Sequence, residues 1–121
     1  MDFNENKPIY IQLADQIMDG VERGESGPGD RLLSVRDYAA KTGVNANTVM
    51  RSYAQLQQEG IIFNQRGIGY FYADDCREKV LEMRKKTFFN KEIKYFMDRL
   101  SALKVTPDEL KAMYERFLNQ Q

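Results

Sequence analysis

Within residues 33–72 the hydrophobic period switches from helical to strand-like, with glycines at the changes of direction. Ser34 is suited to cap a helix, with Asp37 three residues on as a capping-box partner. Tyr38, Ala39 and Ala40 carry a short helix that Gly43 can end in a left-handed conformation. Val44 is the apolar residue of the turn, and Asn45 caps a second helix expected over Ala46–Gln58, with Gly60 closing it. The β-branched and aromatic runs Ile61, Ile62, Phe63 and Tyr70, Phe71, Tyr72 then flank Asn64, Gln65, Arg66, Gly67, Ile68 and Gly69, the composition of a hairpin turn. A short helix, a tight turn, a second helix and a two-stranded ribbon in that order predict a winged helix-turn-helix.

In the second helix Val49, Tyr53 and Leu56 form an apolar stripe, while Asn47, Arg51, Gln55 and Gln58 form the opposite one. One face packs, and the other is free to read something. Asn, Gln and Arg pair with base edges in the major groove of a duplex, and Thr48 or Asn45 can hold a phosphate at the helix N-terminus. A merely solvated face is the bland alternative, but a solvated face in this protein would be expected to carry carboxylates, and none occurs between Asp37 and Glu59. In the hairpin, Gly67 and Gly69 let the backbone approach a sugar-phosphate strand or a minor groove, with Arg66 as the inserted cation. A plain turn also uses a G-x-G pair. It is no dinucleotide fingerprint, because no third glycine follows and no helix opens there.

Upstream, Pro8 suits the start of a helix in which Ile9, Leu13, Ile17 and Val21 recur at steps of four, ending near Arg23 and Gly24. This is an amphipathic core helix in which Tyr10 and Gln12 have no assigned role. Three glycines and a proline in residues 24–29 break the chain, and a short extended piece is expected over residues 30–33. Downstream, Phe89, Ile93, Phe96, Leu100 and Leu103 keep the 3.5-residue period of a helix-packing seam. Thr106, Pro107 and Glu109 open a last helix through a capping box, with Leu110, Met113 and Phe117 as its stripe. The expected tail is a helical hairpin too short to be stable alone, so its seam must be buried, preferentially on a second copy of the chain. Arg84, Lys85 and Lys86 sit among Glu78, Glu82 and Glu92 and read as a solvated helix face.

Composition removes several classes of chemistry. Histidine is absent and Cys76 is the only cysteine, so no intramolecular disulfide can form, a zinc site would need carboxylates alone, and the commonest general base is missing. No catalytic constellation, metal site or cofactor is expected, and Cys76 reads as an inert buried thiol. No segment is apolar enough to span a bilayer, and the N-terminus lacks a secretory signal, so a cytoplasmic location is expected. Eighteen basic and eighteen acidic residues give zero net charge, which argues against a nucleic-acid partner until the distribution is considered. Residues 1–29 carry net −4, residues 30–72 net +2 and residues 73–121 net +2.

Taken together these residues resemble the bacterial GntR-type transcription regulators over residues 8–73. Pro8, Ile9, Tyr10 and Gln12 match the usual opening, Gly29 and Leu32 the approach, and Ser34, Val35 and Arg36 the signature. Thr48, Val49, Tyr53, Leu56, Glu59, Gly60, Gly67, Ile68 and Gly69 continue the match in register. The resemblance implies a homodimer that binds operator DNA through Arg36, through Asn45, Asn47 and Thr48 in the first turn of the recognition helix, and through the wing glycine Gly69. The short tail is similar to the YtrA-type branch, whose members are linked to transporter operons. Leu33 stands where a proline usually precedes the serine. Ala46 and Met50 stand where many members are basic, and Arg51 comes one residue later, as that branch tends to have it.

The expectation is thus a mostly α protein with a small β wing, a DNA-binding domain over residues 1–73 and a two-helix dimerisation tail over residues 74–121. It would bind a palindromic double-stranded operator as a homodimeric repressor, without catalysis, and with no residue cluster marking a small-molecule effector. A winged helix serving as a protein-interaction module is the rival reading, favoured by the zero net charge. Steep salt dependence of binding to a duplex would separate the two.

Overall fold

In the computed structural model, residues 7–121 are described; the expectation about a leader concerns residues that lie mostly outside this range. The chain divides into two compact units, one running to Lys85 and the other spanning Lys86–Gln121.

The first unit is built on α1 (Ile9–Glu22), α2 (Val35–Thr42) and α3 (Ala46–Gln58), followed by β1 (Ile62–Gln65), β2 (Gly69–Tyr72) and α4 (Cys76–Thr87), whose last residues pass into the second unit. α1 buries Leu13, Ala14, Ile17, Met18 and Val21, as its four-residue period predicts, and packs on α3. Pro8 is its N-cap residue. Ser34 caps α2 by accepting from the Asp37 amide at 3.0 Å, and Gly43 ends that helix at φ +74°. Asn45 caps α3 by accepting from the Asn47 amide at 2.8 Å. Val49, Tyr53 and Leu56 point into the core with Ile61 and Ile62. Each such fully buried aliphatic side chain contributes about 1.5–3 kcal/mol of transfer free energy.

β1 and β2 pair antiparallel with Ile62 opposite Tyr72 and Gln65 opposite Gly69. The expected extended piece before α2 joins them, since Arg31 bridges Phe71 and the Leu32 amide donates to the Tyr70 carbonyl at 2.9 Å. The first unit runs past residue 73 because Cys76 and Val80 are fully buried in its core. Burial pushes the Cys76 thiol pKa up, which keeps it protonated and poorly nucleophilic.

Arg84 does not belong to a solvated face. Its guanidinium donates to Asp19 at 2.8 Å and to the Asp15 carbonyl at 3.0 Å, and pairs with Glu22 at 2.8 Å, so that α4 is tied to α1. The carboxylates that reach it come from α1, which spacing along α4 alone does not reveal.

The second unit contains a π-helical turn, Phe88–Glu92, then α5 (Ile93–Ala102) and α6 (Pro107–Asn119). The turn corrects the expected regular seam, since a π turn adds a residue to the helical repeat and Phe89 falls inside it. The capping box of α6 forms as expected, with Thr106 and Glu109 bonded reciprocally at 3.1 Å. The Thr106 hydrogen bonds hold the Glu109 carboxyl below its ordinary pKa. None of residues 86–121 is buried. Phe89, Phe96, Leu103, Met113 and Phe117 are exposed, while Ile93, Leu100 and Leu110 are half-buried.

Candidate nucleic-acid interface

α3 is held by contacts from three sides, and these decide which of its side chains remain outside. Tyr53 is the main pin: its ring is buried, its hydroxyl donates to the Leu33 carbonyl at 2.7 Å, and its edges meet Tyr38 and Tyr70 at 6.1 and 4.9 Å between centroids. It joins α3 to the approach of α2 and to β2. Burial drives the Tyr53 pKa strongly upward, with smaller contributions from the neighbouring tyrosines, and burial also raises Tyr38 and Tyr72. On the α1 side, Ser52 donates to the Tyr10 carbonyl at 2.6 Å. With these contacts in place, helical geometry leaves one exposed face running from Ala46 and Asn47 through Met50 and Arg51 to Ala54 and Gln58.

Asn45 and Asn47 are exposed and Thr48 is half-buried at the start of α3. Capping occupies the Asn45 carbonyl oxygen, which leaves its amide N–H groups to act as donors at the positive end of the helix. Arg36 is exposed in the first turn of α2. Arg51 is exposed and is the one charged residue of α3, and its guanidinium carbon lies 4.1 Å from the centroid of the Tyr10 ring. Gln55, placed on the polar stripe by spacing, is half-buried and donates to Glu59 at 3.2 Å.

At the wing tip the Ile68 amide donates to the Gln65 carbonyl at 2.9 Å, and Arg66 and Gly67 are exposed. Gly69 sits at φ +146°, a region that only glycine occupies readily, and a Cβ there would stand 3.0 Å from Arg31 Nε. Arg31 also donates to the Ile68 carbonyl, so its guanidinium lies across the G-x-G tip.

Two residues with a part in this arrangement escaped the sequence reading. Tyr10 stood in the opening motif, but nothing in the spacing placed its ring under Arg51. Arg31 was simply one of the five basic residues of residues 30–72. Both contacts join segments far apart in the chain. The two groups of expected contact residues, those of α2 and α3 and those of the wing, both lie in the first unit. Among the described residues no cluster of Cys, Asp or Glu could hold a metal, and no helix is long and apolar enough to cross a membrane.

The family model for bacterial regulatory proteins of the gntR family matches residues 9–71. An HTH-type transcriptional regulator of Bacillus subtilis, YhcF, is 36% identical over 108 residues, which cover 89% of this chain and 88% of that one. The HTH-type transcriptional repressor YtrA of the same organism is 34% identical over 94 residues, covering 78% and 72%. A solved structure described as a putative GntR-family transcriptional regulator from Bacteroides thetaiotaomicron superposes with a TM-score of 0.83 at 39% identity, over 94% of this chain and 99% of that one. The chain therefore belongs to the GntR family, in its short-tailed YtrA-type branch, and is a transcription regulator, not an enzyme, with a DNA-binding winged helix.

Proposed function

We propose that the protein is a homodimeric repressor that binds an inverted-repeat operator, with the two copies of α3 in successive major grooves of one duplex face. The observation that carries this reading is the exposed face of α3, which holds Asn47, Arg51 and Gln58 without a carboxylate, together with the exposed Arg36 of α2. Arg36 and Arg51 are the cationic contacts, Asn45, Asn47 and Thr48 position and read, and Arg66, Gly67 and Gly69 engage the adjoining backbone or minor groove. The division of labour follows the compact units: the first unit binds DNA and Lys86–Gln121 makes the dimer. Supporting the second role, Phe96, Leu103, Met113 and Phe117 stay 46–62% exposed in the single chain. Large apolar side chains recurring along the faces of two helices fit a surface that a partner covers. That the relative YtrA is a repressor supports the sign of regulation, and the branch resemblance points to a transporter operon as the target.

Selection of random duplexes by the full-length protein, followed by sequencing, tests the reading. The expected result is an inverted repeat with half-sites about one helical turn apart. Retention of single, unpaired half-sites, or of no sequence at all, overturns it. Sedimentation of Phe96→Glu and Phe117→Glu variants tests the dimer. Both are expected to be monomers that bind the operator more weakly, because linking two half-site contacts raises effective concentration. Unchanged dimers would remove the assigned role of the tail.

A further inference from the structure

The exposed face of α3 has two rows of unlike chemistry. Asn47 and Arg51 form the polar row. Ala46, Met50 and Ala54, at steps of four, form a row without donor, acceptor or charge, and all three are exposed, Met50 by 53%. Met50 is separate from the core stripe of Val49, Ser52, Tyr53 and Leu56, which is fully buried. Helical geometry sets the apolar row on the side of α3 nearer α2, since Tyr53, which reaches Leu33, is three residues from Met50. Arg51 lies on the other side, against Tyr10 of α1.

Resting on the DNA-reading function above, we propose that this row makes α3 a reader of thymine methyl groups, so that the half-site is specified by thymines facing Met50 and Ala46. The C5-methyl of thymine is the one apolar feature that base edges present in the major groove, and Ala and similar small apolar groups are its contacts. The methyls of Ala46 and Ala54 fit close approach, and the unbranched, polarisable thioether of Met50 reaches further and adapts to the edge it meets. The neighbouring row agrees in kind: Asn47 can donate to N7 and accept from N6 of adenine, the partner of thymine, in a bidentate pair. An Arg at position 46 or 50 would instead favour guanine. Among the described residues, more than half of Met50 is left uncovered. A contact that covers Met50 and excludes water therefore gains apolar burial of a side chain already held on a rigid helix.

The experiment uses the full chain and the duplex that selection returns. Each thymine in the half-site is replaced in turn by deoxyuridine, which removes the methyl and leaves base pairing intact. At the one or two positions facing Met50 and Ala46, affinity is expected to fall about fourfold per methyl, the equivalent of ~0.8 kcal/mol. Met50→Ser, an exposed substitution that leaves the core untouched, is expected to weaken binding by a similar factor and to abolish the response to deoxyuridine at its own position. Uniform tolerance of deoxyuridine, or a Met50→Ser variant that still senses the methyl as the parent does, overturns the inference while leaving the DNA-binding reading intact. Selection of guanine or cytosine at every position facing α3 overturns it equally. A chain that enriches no duplex at all overturns both readings together.

Discussion

The guanidinium of Arg51 lies over the ring of Tyr10, 4.1 Å from its centroid, so the first helix of the domain holds the one charge of the recognition helix. The Tyr10 backbone is fixed as well, because Ser52 donates to its carbonyl at 2.6 Å. A long, flexible side chain is thereby partly ordered before any ligand arrives, and less side-chain freedom remains to be lost on binding.

Tyr10→Leu is expected to reduce operator affinity about twofold to fivefold, corresponding to the ~0.5–1 kcal/mol of an exposed cation–aromatic contact, while Tyr10→Phe retains it. Fluorescence anisotropy with a labelled operator measures both, and thermal melting controls for folding. Equal losses in the two variants would show that the ring does not act through Arg51.

The wing makes a separate demand. Gly69→Ala places a Cβ at φ +146° and 3.0 Å from Arg31 Nε, so a destabilisation of about 1–3 kcal/mol and a loosened tip are expected. Arg31→Ala combined with Gly69→Ala relieves the close approach but not the backbone strain, so only part of the stability returns. Denaturant titration of the three proteins decides; full recovery in the double variant would place the whole cost in the Arg31 contact.

Tyr53 gives the domain an alkaline limit. Its folded pKa is raised by burial, as are those of Tyr38 and Tyr72. Below the unfolded tyrosine pKa of about 10 both states are protonated and stability is unaffected by these groups. Above it the unfolded chain releases protons that the folded chain retains, so stability falls with rising pH. Tyr53→Phe is expected to lose about 1 kcal/mol at neutral pH, with its bond to the Leu33 carbonyl, and to show a shallower alkaline decline. An undiminished slope in urea titrations across that range would remove Tyr53 as the cause.

Arg84 and Lys85 are adjacent on one helix and are expected to behave differently. Arg84→Ala removes bonds to Asp19, Glu22 and the Asp15 carbonyl and is expected to cost about 1–2 kcal/mol, given that these pairs are partly solvated. Lys85→Ala, at an exposed position, should stay within about 0.5 kcal/mol. Similar melting shifts for both would show that the ties from Arg84 to α1 contribute nothing beyond surface charge.

Much of the recognition unit was legible in local sequence because its determinants are local. Ser34, Gly43, Asn45 and Thr106 set helix ends through bonds to residues within four positions, and the strides of Leu13 to Val21 and Val49 to Leu56 declare which faces are buried. The hairpin glycines likewise announce a turn whose geometry needs only its own residues.

Other assignments depended on contacts across long chain separations. Spacing placed Arg84 on a solvated face and Gln55 on a reading face, and gave Tyr10 no role. Contacts from α1 set acidic residues against Arg84 and Tyr10 under Arg51, while Gln55 is held locally by Glu59, four residues on. The regular seam through Phe89 was broken by a π turn that no periodicity records, because the pattern counts residues and not the hydrogen bonds between them. Sequence by itself therefore determined the order of elements, their caps and their buried faces, since those follow from propensity and period. Only the tertiary structure decided which charges are held and by what, because that depends on where distant segments bring their carboxylates, carbonyls and rings.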